Sequence, residues 1–463
     1  MTSPQFSVII PVYNHAAFLA ETLQSVLAQT YRDFEIVIVN DGSTDDPGAV
    51  VKQFHDARIK FIEQENRGAT AARNTGMRAA RGEAIAFLDA DDRWHPEKLE
   101  QHAAFLARHS EIGASYNARF ELNYSAETVR ELWRPPRSVT LSDLVLGFPF
   151  APSDLIVRRE WAFRVDLFDE RYRFYGDDLD FFCRLALAGC AFAGINRALN
   201  YRKYHSKRVI HKLAECVRFA LEPLERTFAD PRCPGETRAV RARAFANHSL
   251  AWAFAAFLQN ETSLGQDLVR RAARWNPNLL VGEPCDLINE LVWHSVADAS
   301  ADHAQILRQV VDQLPGEMAG VAAQFEWAVA RGYLIKGMRA MIWDRVQAGR
   351  ADFEQARARG ARLDAEFAHL LGFRLASYEM EFGAAATQTV LGNLEPALKR
   401  IGGWWWMRKF KGFFLIDGAF EKYRIGEYAR VPRRVVAAIA SDPRYLMNRG
   451  VLAIFLRALI ASR

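Results

Sequence analysis

Cysteine pairs, long apolar runs and glycine-rich loops are scarce or missing in this sequence of 463 residues. The five cysteines are odd in number and show no C-x-x-C spacing, so we expect neither a disulfide framework nor a zinc site. No apolar run reaches the roughly 18 residues that a membrane-spanning helix needs, and no basic segment followed by an apolar one opens the chain. We therefore expect a cytoplasmic, unprocessed protein.

Neither of two common phosphate-binding loops follows the first apolar strand. The G-x-G-x-x-G turn of dinucleotide-binding domains is missing there, and so is the G-x-x-x-x-G-K-[ST] loop. The first turn instead reads Pro11-Val-Tyr-Asn14. What is present is a globular composition, half hydrophobic and a quarter charged, in a chain long enough for two or three domains.

The first 90 residues alternate apolar strands with helical patterns, which is typical of a parallel α/β sheet. Ligands of such open sheets bind beyond the carboxyl ends of the strands. That rule places Pro11, Tyr13, Asn14, Asp41 and Asp89 on one edge. An aromatic ring can pack against a base, and a carboxylate can accept from a base N–H or a ribose hydroxyl, so this edge suits a nucleoside. The predicted strands are 6–12, 34–39, 58–62 and 84–88, and the predicted helices are 16–29, 47–55 and 68–80.

Three carboxylates, Asp89, Asp91 and Asp92, follow the predicted strand 84–88 within four positions. They would repel one another unless a cation lay among them, and hard oxygen ligands on a turn suit Mg²⁺ or Mn²⁺. The alternative is an acidic turn in which Asp92 caps the helix that begins near Pro96. These residues alone leave both interpretations open.

Two arginines, Arg67 and Arg73, lie at and within the start of the predicted helix 68–80. An arginine that faces the carboxyl edge of the sheet can bind a phosphate through its planar guanidinium. The alternative for each arginine is a solvated helix face.

Four segments in this order, residues 8–14, 38–45, 66–76 and 87–92, resemble the inverting glycosyltransferases of family 2, which have the GT-A fold. The resemblance covers roughly residues 5–205, under half of the chain. It implies a mostly parallel, Rossmann-like α/β domain that transfers a sugar from a nucleoside-diphosphate sugar, with UDP favoured, to an acceptor hydroxyl with inversion. Cell-surface glycans or lipid-linked sugars would be the acceptors, and synthesis of surface polysaccharide the setting.

The resemblance also assigns roles to residues at the carboxyl edge. It implies that Pro11, Tyr13 and Asp41 line the nucleoside. It also implies that Arg73 lies near the phosphates and that Asp89 faces the ribose. Asp91 would hold Mn²⁺ or Mg²⁺. The predicted nucleotide-sugar site comprises Pro11, Tyr13, Asn14, Asp41, Arg73, Asp89 and Asp91.

An inverting transfer needs a base that deprotonates the acceptor, and the segment 174–189 matches the family's Glu-Asp helix. Here the pair reads Asp177-Asp178, so the usual glutamate is shortened by one methylene. The resemblance implies that Asp178 is the base and that Asp177 and Arg184 lie on the acceptor side. The alternative is an acidic helix start that is stabilised by the helix dipole.

A histidine, His205, ends the segment Tyr201-Arg-Lys-Tyr-His205. In the family, a Tyr-Arg-x-His segment at this place can bring a histidine to the metal or the diphosphate. The arginine stands three residues before His205 here and not two, so its register differs. A structural histidine is the alternative to a metal ligand.

Strand signals disappear from about His211, and helical patterns rich in Ala, Leu and Arg continue to the end. Residues 269–280 and 435–446 resemble each other. Each reads as a helix, then a polar residue followed by proline, then the apolar start of the next helix, as in the turns between tetratricopeptide repeats. We therefore predict a catalytic domain at 1–210 and an all-α domain of degenerate helical hairpins at 211–463. Such a domain binds a partner protein or braces its neighbour.

The tail, residues 402–463, carries 12 basic and 4 acidic side chains and the aromatic stretch Gly403–Phe414. Interleaved aromatics and cations suit peripheral contact with the inner face of an anionic membrane. The alternative is that these residues form a helical core. Nucleic acid is not expected, because residues 1–210 carry 26 basic against 28 acidic side chains.

Two rival functions follow from the same residues. A degenerate, inactive transferase domain could serve only to carry the helical scaffold, but every carboxylate that the chemistry needs is present. A nucleotidyltransferase on a similar fold would favour a glycine-rich, lysine-bearing first loop, which this chain lacks.

Overall fold

The computed structural model describes residues 4–123, 128–147, 149–173, 175–204, 212–298, 301–424 and 426–461. Packing divides the chain into two compact units. The first comprises Met1–Glu290 and Gln309–Ala319, and the second comprises Leu291–Arg308 and Gly320–Arg463. The sequence placed the division at residue 210, whereas the helices between residues 213 and 290 group with the sheet. The two domains with a boundary at 210 therefore stay a prediction that packing does not reproduce.

The first unit is built on a sheet of ten strands among the described residues. The strand order is β3-β2-β1-β4-β9-β6-β10-β5, with β7 paired to β6 and β8 to β10. The strands are β1 (Phe6–Val12), β2 (Phe34–Asp41), β3 (Ile59–Gln64), β4 (Ala84–Phe87), β5 (Arg93–Trp94), β6 (Ala114–Asn123), β7 (Val129–Trp133), β8 (Ser138–Val139), β9 (Leu155–Arg158) and β10 (Phe192–Tyr204).

The predicted parallel part of the sheet is confirmed for β3, β2, β1 and β4. Beyond β4 the sheet is mixed, because β9 runs antiparallel to both β4 and β6. The register pairs Ala86 with Ile156, so β9 begins beside the carboxyl end of β4. The short turn before β9, Pro152–Asp154, consequently lies at the edge where the site was expected.

The helices of the first unit cover both faces of the sheet. β2 is buried at all eight positions, as expected for a central strand between two helical layers. α3 approaches β1 closely at Gly76, where a Cβ atom would lie 2.4 Å from Ile9 Cγ2. The helices are α1 (Ala16–Leu27), α2 (Pro47–Val51), α3 (Ala69–Ala79), α4 (Lys98–Arg108), α5 (Leu141–Leu146), α6 (Arg159–Arg164), α7 (Asp177–Leu187), α8 (Leu213–Ala229), α9 (Gly235–Ala239), α10 (Arg241–Leu258) and α11 (Thr262–Trp275).

Three contacts explain why α8 and α10 belong to the first unit. A Cβ atom on Gly176, just before α7, would lie 2.1 Å from the carbonyl oxygen of Phe219 in α8. Arg226 of α8 pairs with Asp180 of α7 at 3.1 Å. His248 of α10 lies 3.1 Å from the carbonyl oxygen of Val145. α8 therefore braces α7, and α10 packs against α5.

The second unit is helical throughout its described residues, which confirms an all-α region after the sheet. Residues 269–280 and 435–446, which have similar sequences, also share a local structure. In each stretch a helix is followed by a 3₁₀ turn that begins with proline, Pro277–Leu280 in the first and Pro443–Met447 in the second. The tetratricopeptide-like repeat itself stays a prediction. The remaining helices are α12 (Asp286–Ser295), α13 (His303–Val311), α14 (Ala319–Ala322), α15 (Phe325–Ile342), α16 (Val346–Ala358), α17 (Ala365–Arg424, with breaks at Gly383 and Gly403), α18 (Val431–Ser441) and α19 (Arg449–Ala461).

Within the described ranges, the helices that are long enough to span a bilayer are not apolar enough to do so.

Candidate active site

The carboxyl ends of β1 and β2 are joined by hydrogen bonds between the loops that follow them. Asn14 has a left-handed backbone conformation, with φ of +53°. Its Oδ1 accepts from Thr44 N at 2.8 Å, and its N–H donates to Ser43 Oγ at 3.1 Å. Tyr13 is half-exposed beside this junction, and Pro11 pairs with Val39 inside the sheet. The geometry thus leaves the Tyr13 ring as an accessible aromatic surface at the edge.

Asp41, at the end of β2, is buried and accepts three hydrogen bonds. Its donors are Arg67 N at 3.0 Å, Gly68 N at 2.8 Å and Gln64 Nε2 at 2.7 Å. Two of these donors are backbone N–H groups at the start of α3, where an anion is favoured. Asp41 therefore anchors α3 to the sheet edge, and its contact with a nucleoside stays a prediction.

Arg73 connects the turn after β4 with the start of α7. Its guanidinium donates to Asp89 Oδ1 at 2.9 Å and to Asp177 Oδ2 at 2.7 Å. The side chain is largely buried, and the two carboxylates hold the pKa of Arg73 above its ordinary value although burial alone would lower it. Arg67 lies elsewhere, paired with Glu170 on the surface. Of the two candidate arginines, only Arg73 reaches the carboxylates of the site.

The three carboxylates after β4 occupy different environments. Asp89 is partly exposed and paired with Arg73, Asp91 is half-buried, and Asp92 is buried. Burial, followed by the nearby charges of Asp91 and Asp89, raises the pKa of Asp92 well above its ordinary value. The alternative that Asp92 caps the next helix is wrong, because the N-cap of α4 is Glu97.

A buried polar cluster that the sequence analysis missed lies behind this turn. Lys98 Nζ donates to Ser153 O at 2.8 Å and to Asn117 Oδ1 at 2.7 Å. Ser153 Oγ in turn accepts from Asp89 N at 3.1 Å. Burial lowers the pKa of Lys98 to about 7, against the opposing charges of Asp154 and Asp92. The only sequence signal was a lysine just inside a helix that follows the carboxylates, which an exposed helix face usually explains.

The predicted base, Asp178, lies in the first turn of α7 after Gly176, whose φ of +86° favours glycine. Desolvation by the surrounding protein, and then the charge of Asp177, raises the pKa of Asp178 to about 7. Its Oδ1 accepts from Leu179 N at 2.8 Å. A carboxylate with a pKa near the working pH combines basicity with a substantial ionised fraction, as a general base requires.

Arg202 of β10 is a second residue that the sequence analysis did not single out. The pKa values of Asp178 and Asp92 are raised overall, and the positive charge of Arg202 opposes this rise in both. Arg202 therefore lies near these two carboxylates. Its Nη1 lies 3.7 Å from Glu121 Oε1. The segment Tyr201-Arg-Lys-Tyr-His205 held the signal, but we assigned it to His205, which lies outside the described residues.

Arg184 has other partners than the predicted acceptor side. It donates to Asp180 Oδ2 at 2.6 Å and to the carbonyl oxygen of Val165. Asp180 also pairs with Arg226, so this part of α7 faces the helix α8 that braces it. A contact between Arg184 and an acceptor stays a prediction.

A divalent cation fits the donor set at the turn only in part. Among the described residues no cluster of three or more His, Cys, Asp or Glu side chains is arranged to hold a metal. One Asp89 oxygen is engaged by Arg73, and Asp92 is buried, while a cation held by Asp91 stays a prediction. One or two carboxylates, completed by substrate phosphates and water, are how proteins usually hold Mg²⁺. The residues present fit such a substrate-completed site.

Comparison with known proteins identifies the family. Residues 7–165 match the model of Glycosyl transferase family 2. The putative teichuronic acid biosynthesis glycosyltransferase TuaG of Bacillus subtilis is 30% identical over 199 residues, which cover 42% of this chain and 77% of TuaG. This chain belongs to glycosyltransferase family 2.

A second relative and a solved structure are also similar to this family 2 chain. An uncharacterized glycosyltransferase of Nostoc sp. is 36% identical over 190 residues, 39% of this chain and 59% of that protein. The chain thus spans a little over half of that relative's length. The crystal structure of S. aureus TarS 1–349 in complex with UDP has 21% sequence identity and a TM-score of 0.39, covering 59% of this chain and 88% of that one.

Proposed function

We propose that this family 2 chain transfers a sugar from a nucleoside-diphosphate sugar to an acceptor hydroxyl with inversion at the anomeric carbon. One observation carries the proposal. Asp178, whose pKa is raised to about 7, is adjacent to Asp177, which Arg73 ties to the turn at Asp89. The guanidinium of Arg73 thereby connects the proposed general base on α7 with the donor-binding turn after β4.

The donor lies along the carboxyl edge of the sheet. The Tyr13 ring packs against the nucleobase of the donor, and Asp41 with Pro11 and Asn14 shapes the nucleoside pocket. Asp89 faces the ribose, as the exposed part of its side chain permits. Asp91 would hold Mn²⁺ or Mg²⁺, which when bound neutralises charge on the diphosphate. UDP is the favoured nucleotide.

The transfer step places Asp178 and the leaving diphosphate on opposite sides of the anomeric carbon. Asp178 accepts the proton of the acceptor hydroxyl as the acceptor oxygen bonds to the anomeric carbon, and the nucleoside diphosphate leaves from the other face. Attack opposite the leaving group inverts the configuration. The positive charges of Arg73 and Arg202 favour the ionised, proton-accepting form of Asp178. Asp177 and Arg184 hold the acceptor side, and His205 stays a predicted ligand of the metal or the diphosphate.

The acceptor is a cell-surface glycan or a lipid-linked sugar, and the enzyme works at the inner face of the membrane. Residues 402–463 supply a peripheral contact there, which their excess of basic over acidic side chains, 12 to 4, supports. The helical second unit offers further surface for a protein partner.

Turnover of donor sugars tests the proposal. Purified protein is incubated with a panel of UDP- and GDP-sugars in Mn²⁺ or Mg²⁺, and release of the nucleoside diphosphate is measured. We expect slow hydrolysis of at least one donor, because water replaces the acceptor at the base. Binding of UDP by calorimetry without turnover of any donor would instead favour the inactive scaffold.

A further inference from the structure

The aromatic stretch near the start of the tail separates into an inward and an outward part. Trp406 is 8% exposed, and Phe410 and Phe414 are buried with it. Trp404 and Trp405 are 58% and 71% exposed. A helical core thus accounts for one of the three tryptophans but not for the other two.

The backbone and the packing of α17 impose this separation. Gly403, with φ of +73°, breaks the helix, which resumes with Trp404. Trp406 stacks on Phe410 at 5.5 Å between ring centroids, and its Nε1 donates to Asp364 O at 3.3 Å. Because Trp406 and Phe410, one turn apart, define the inward face, Trp404 and Trp405 must project to the outside.

The two outward indoles form a structured surface with basic side chains. Their ring centroids are 4.8 Å apart, and the Arg408 guanidinium lies 5.7 Å from one ring and 5.9 Å from the other. Arg408 donates to Ser441 O at 2.7 Å, which fixes it against the end of α18. Exposed Lys409 follows in the same turn. We call Trp404, Trp405, Arg408 and Lys409 the indole surface.

We propose that the indole surface docks on an anionic lipid bilayer; the proposal rests on the peripheral membrane contact suggested above and names its residues. Adjacent exposed indoles leave in water apolar area that a folded protein normally buries. Indole rings suit the headgroup level of a bilayer, where the ring is partly dehydrated and its N–H stays hydrated. The neighbouring cations complement acidic headgroups, and the basic excess of the tail opposes pairing of this surface with a second copy of itself.

The test is co-sedimentation of the full chain with vesicles of phosphatidylcholine, with or without phosphatidylserine. We expect the wild type to bind the anionic vesicles at low salt and to lose affinity as salt rises, because screening weakens the headgroup attraction. Trp404→Ala/Trp405→Ala should bind about 10-fold or more weakly, since both indoles are lost. Trp275→Ala, which removes a partly exposed tryptophan from the first unit, is the matched control and should bind like the wild type.

Three results would overturn the proposal. One is equal sedimentation of the wild type and the double variant when circular dichroism shows both to be folded. Another is failure of the wild type to bind anionic vesicles at low salt. The third is a wild-type dimer, seen by light scattering, that the double variant dissociates, since a second copy would then cover the surface. Donor turnover without vesicles is measured in parallel, so that a wild type that turns over donor but does not bind anionic vesicles rejects the docking proposal and leaves the catalytic proposal standing.

Discussion

Around the turn after β4 in the first unit charged side chains are buried, whereas just after Gly403 of α17 in the second unit two tryptophan side chains are exposed. Lys98, Asp92 and Arg73 lie inside the protein around the turn after β4, and Trp404 and Trp405 lie outside on α17. Both arrangements oppose the usual distribution, in which charges are solvated and aromatics packed. At the first place desolvation shifts the pKa values of Lys98 and Asp92, whereas at the second apolar surface stays in contact with water. Single substitutions at the two places test this contrast.

The largest effect is expected when the buried base is neutralised without a change of shape. Asp178→Asn should lower kcat for transfer by about 100- to 10,000-fold, because the amide cannot accept the acceptor's proton. Donor affinity should survive, since Asp178 acts on the acceptor. Steady-state kinetics and calorimetry with UDP separate the two effects, with Asp267→Asn on the exposed side of α11 as the control. Residual turnover together with lost donor binding would assign Asp178 to the diphosphate site.

Removing the carboxylate that is proposed to anchor the cation comes next. Asp91→Ala should weaken binding of UDP in Mn²⁺ by about 10-fold or more, because loss even of an outer-shell partner of a metal ligand typically costs that much. Binding without metal should change little. Calorimetry with and without chelator measures both, and Asp312→Ala, an exposed position, is the control. Equal affinities for UDP in Mn²⁺ in variant and wild type would contradict this role.

The buried lysine should matter for folding more than for binding. Lys98→Met removes the donor to Ser153 O and Asn117 Oδ1, so two buried acceptors each lose a hydrogen bond. We expect a loss of about 3 kcal/mol in the free energy of unfolding, because hydrogen bonds from a charged donor contribute about 1.5–3 kcal/mol each. Urea denaturation of Lys98→Met and of the exposed control Lys52→Met measures the difference. Equal stabilities would show that the cluster is not needed for folding.

A smaller effect is expected from pH. The pKa of Asp178 is raised to about 7 in the folded protein, whereas an unfolded aspartate ionises near about pH 4. The folded state therefore binds the extra proton, and the free energy of unfolding falls as pH rises from about 4 to about 7. Asp178→Asn lacks this dependence, so it should gain stability relative to the wild type across that window. A constant difference between the two proteins in urea at about pH 5 and about pH 8 would contradict it.

The sequence predicted the features that depend on local pattern. The alternation over the first 90 residues is confirmed by β1 to β4, since buried strands read as short apolar runs whatever they pair with. The placement of Pro11, Asp41 and Asp89 on one edge of the sheet follows from this pattern, because the carboxyl ends of parallel strands lie on the same side. The alternative that Asp92 caps a helix stayed open in the sequence, because a buried carboxylate and a capping carboxylate can occupy the same position after a strand.

Features that depend on distant residues could not be predicted. Ser153 reaches Asp89 only because β9 runs antiparallel between β4 and β6, and pairing order leaves no local pattern. The first compact unit extends to Glu290, beyond the predicted boundary at 210, because α8 packs on α7 through Phe219 and Arg226, which look like ordinary helix residues. Trp406 differs from Trp404 and Trp405 only in the face of α17 that it occupies.

The central claim, that desolvation makes Asp178 the base, is tested most directly by the pH dependence of kcat/KM for transfer. We predict that kcat/KM falls with decreasing pH below an apparent pKa near 7, because the base must be ionised in the free enzyme. The residual activity of Asp178→Asn should lack this limb. A wild-type profile that stays flat from about pH 5 to about pH 8, or one that Asp178→Asn reproduces at lower rate, would contradict the claim.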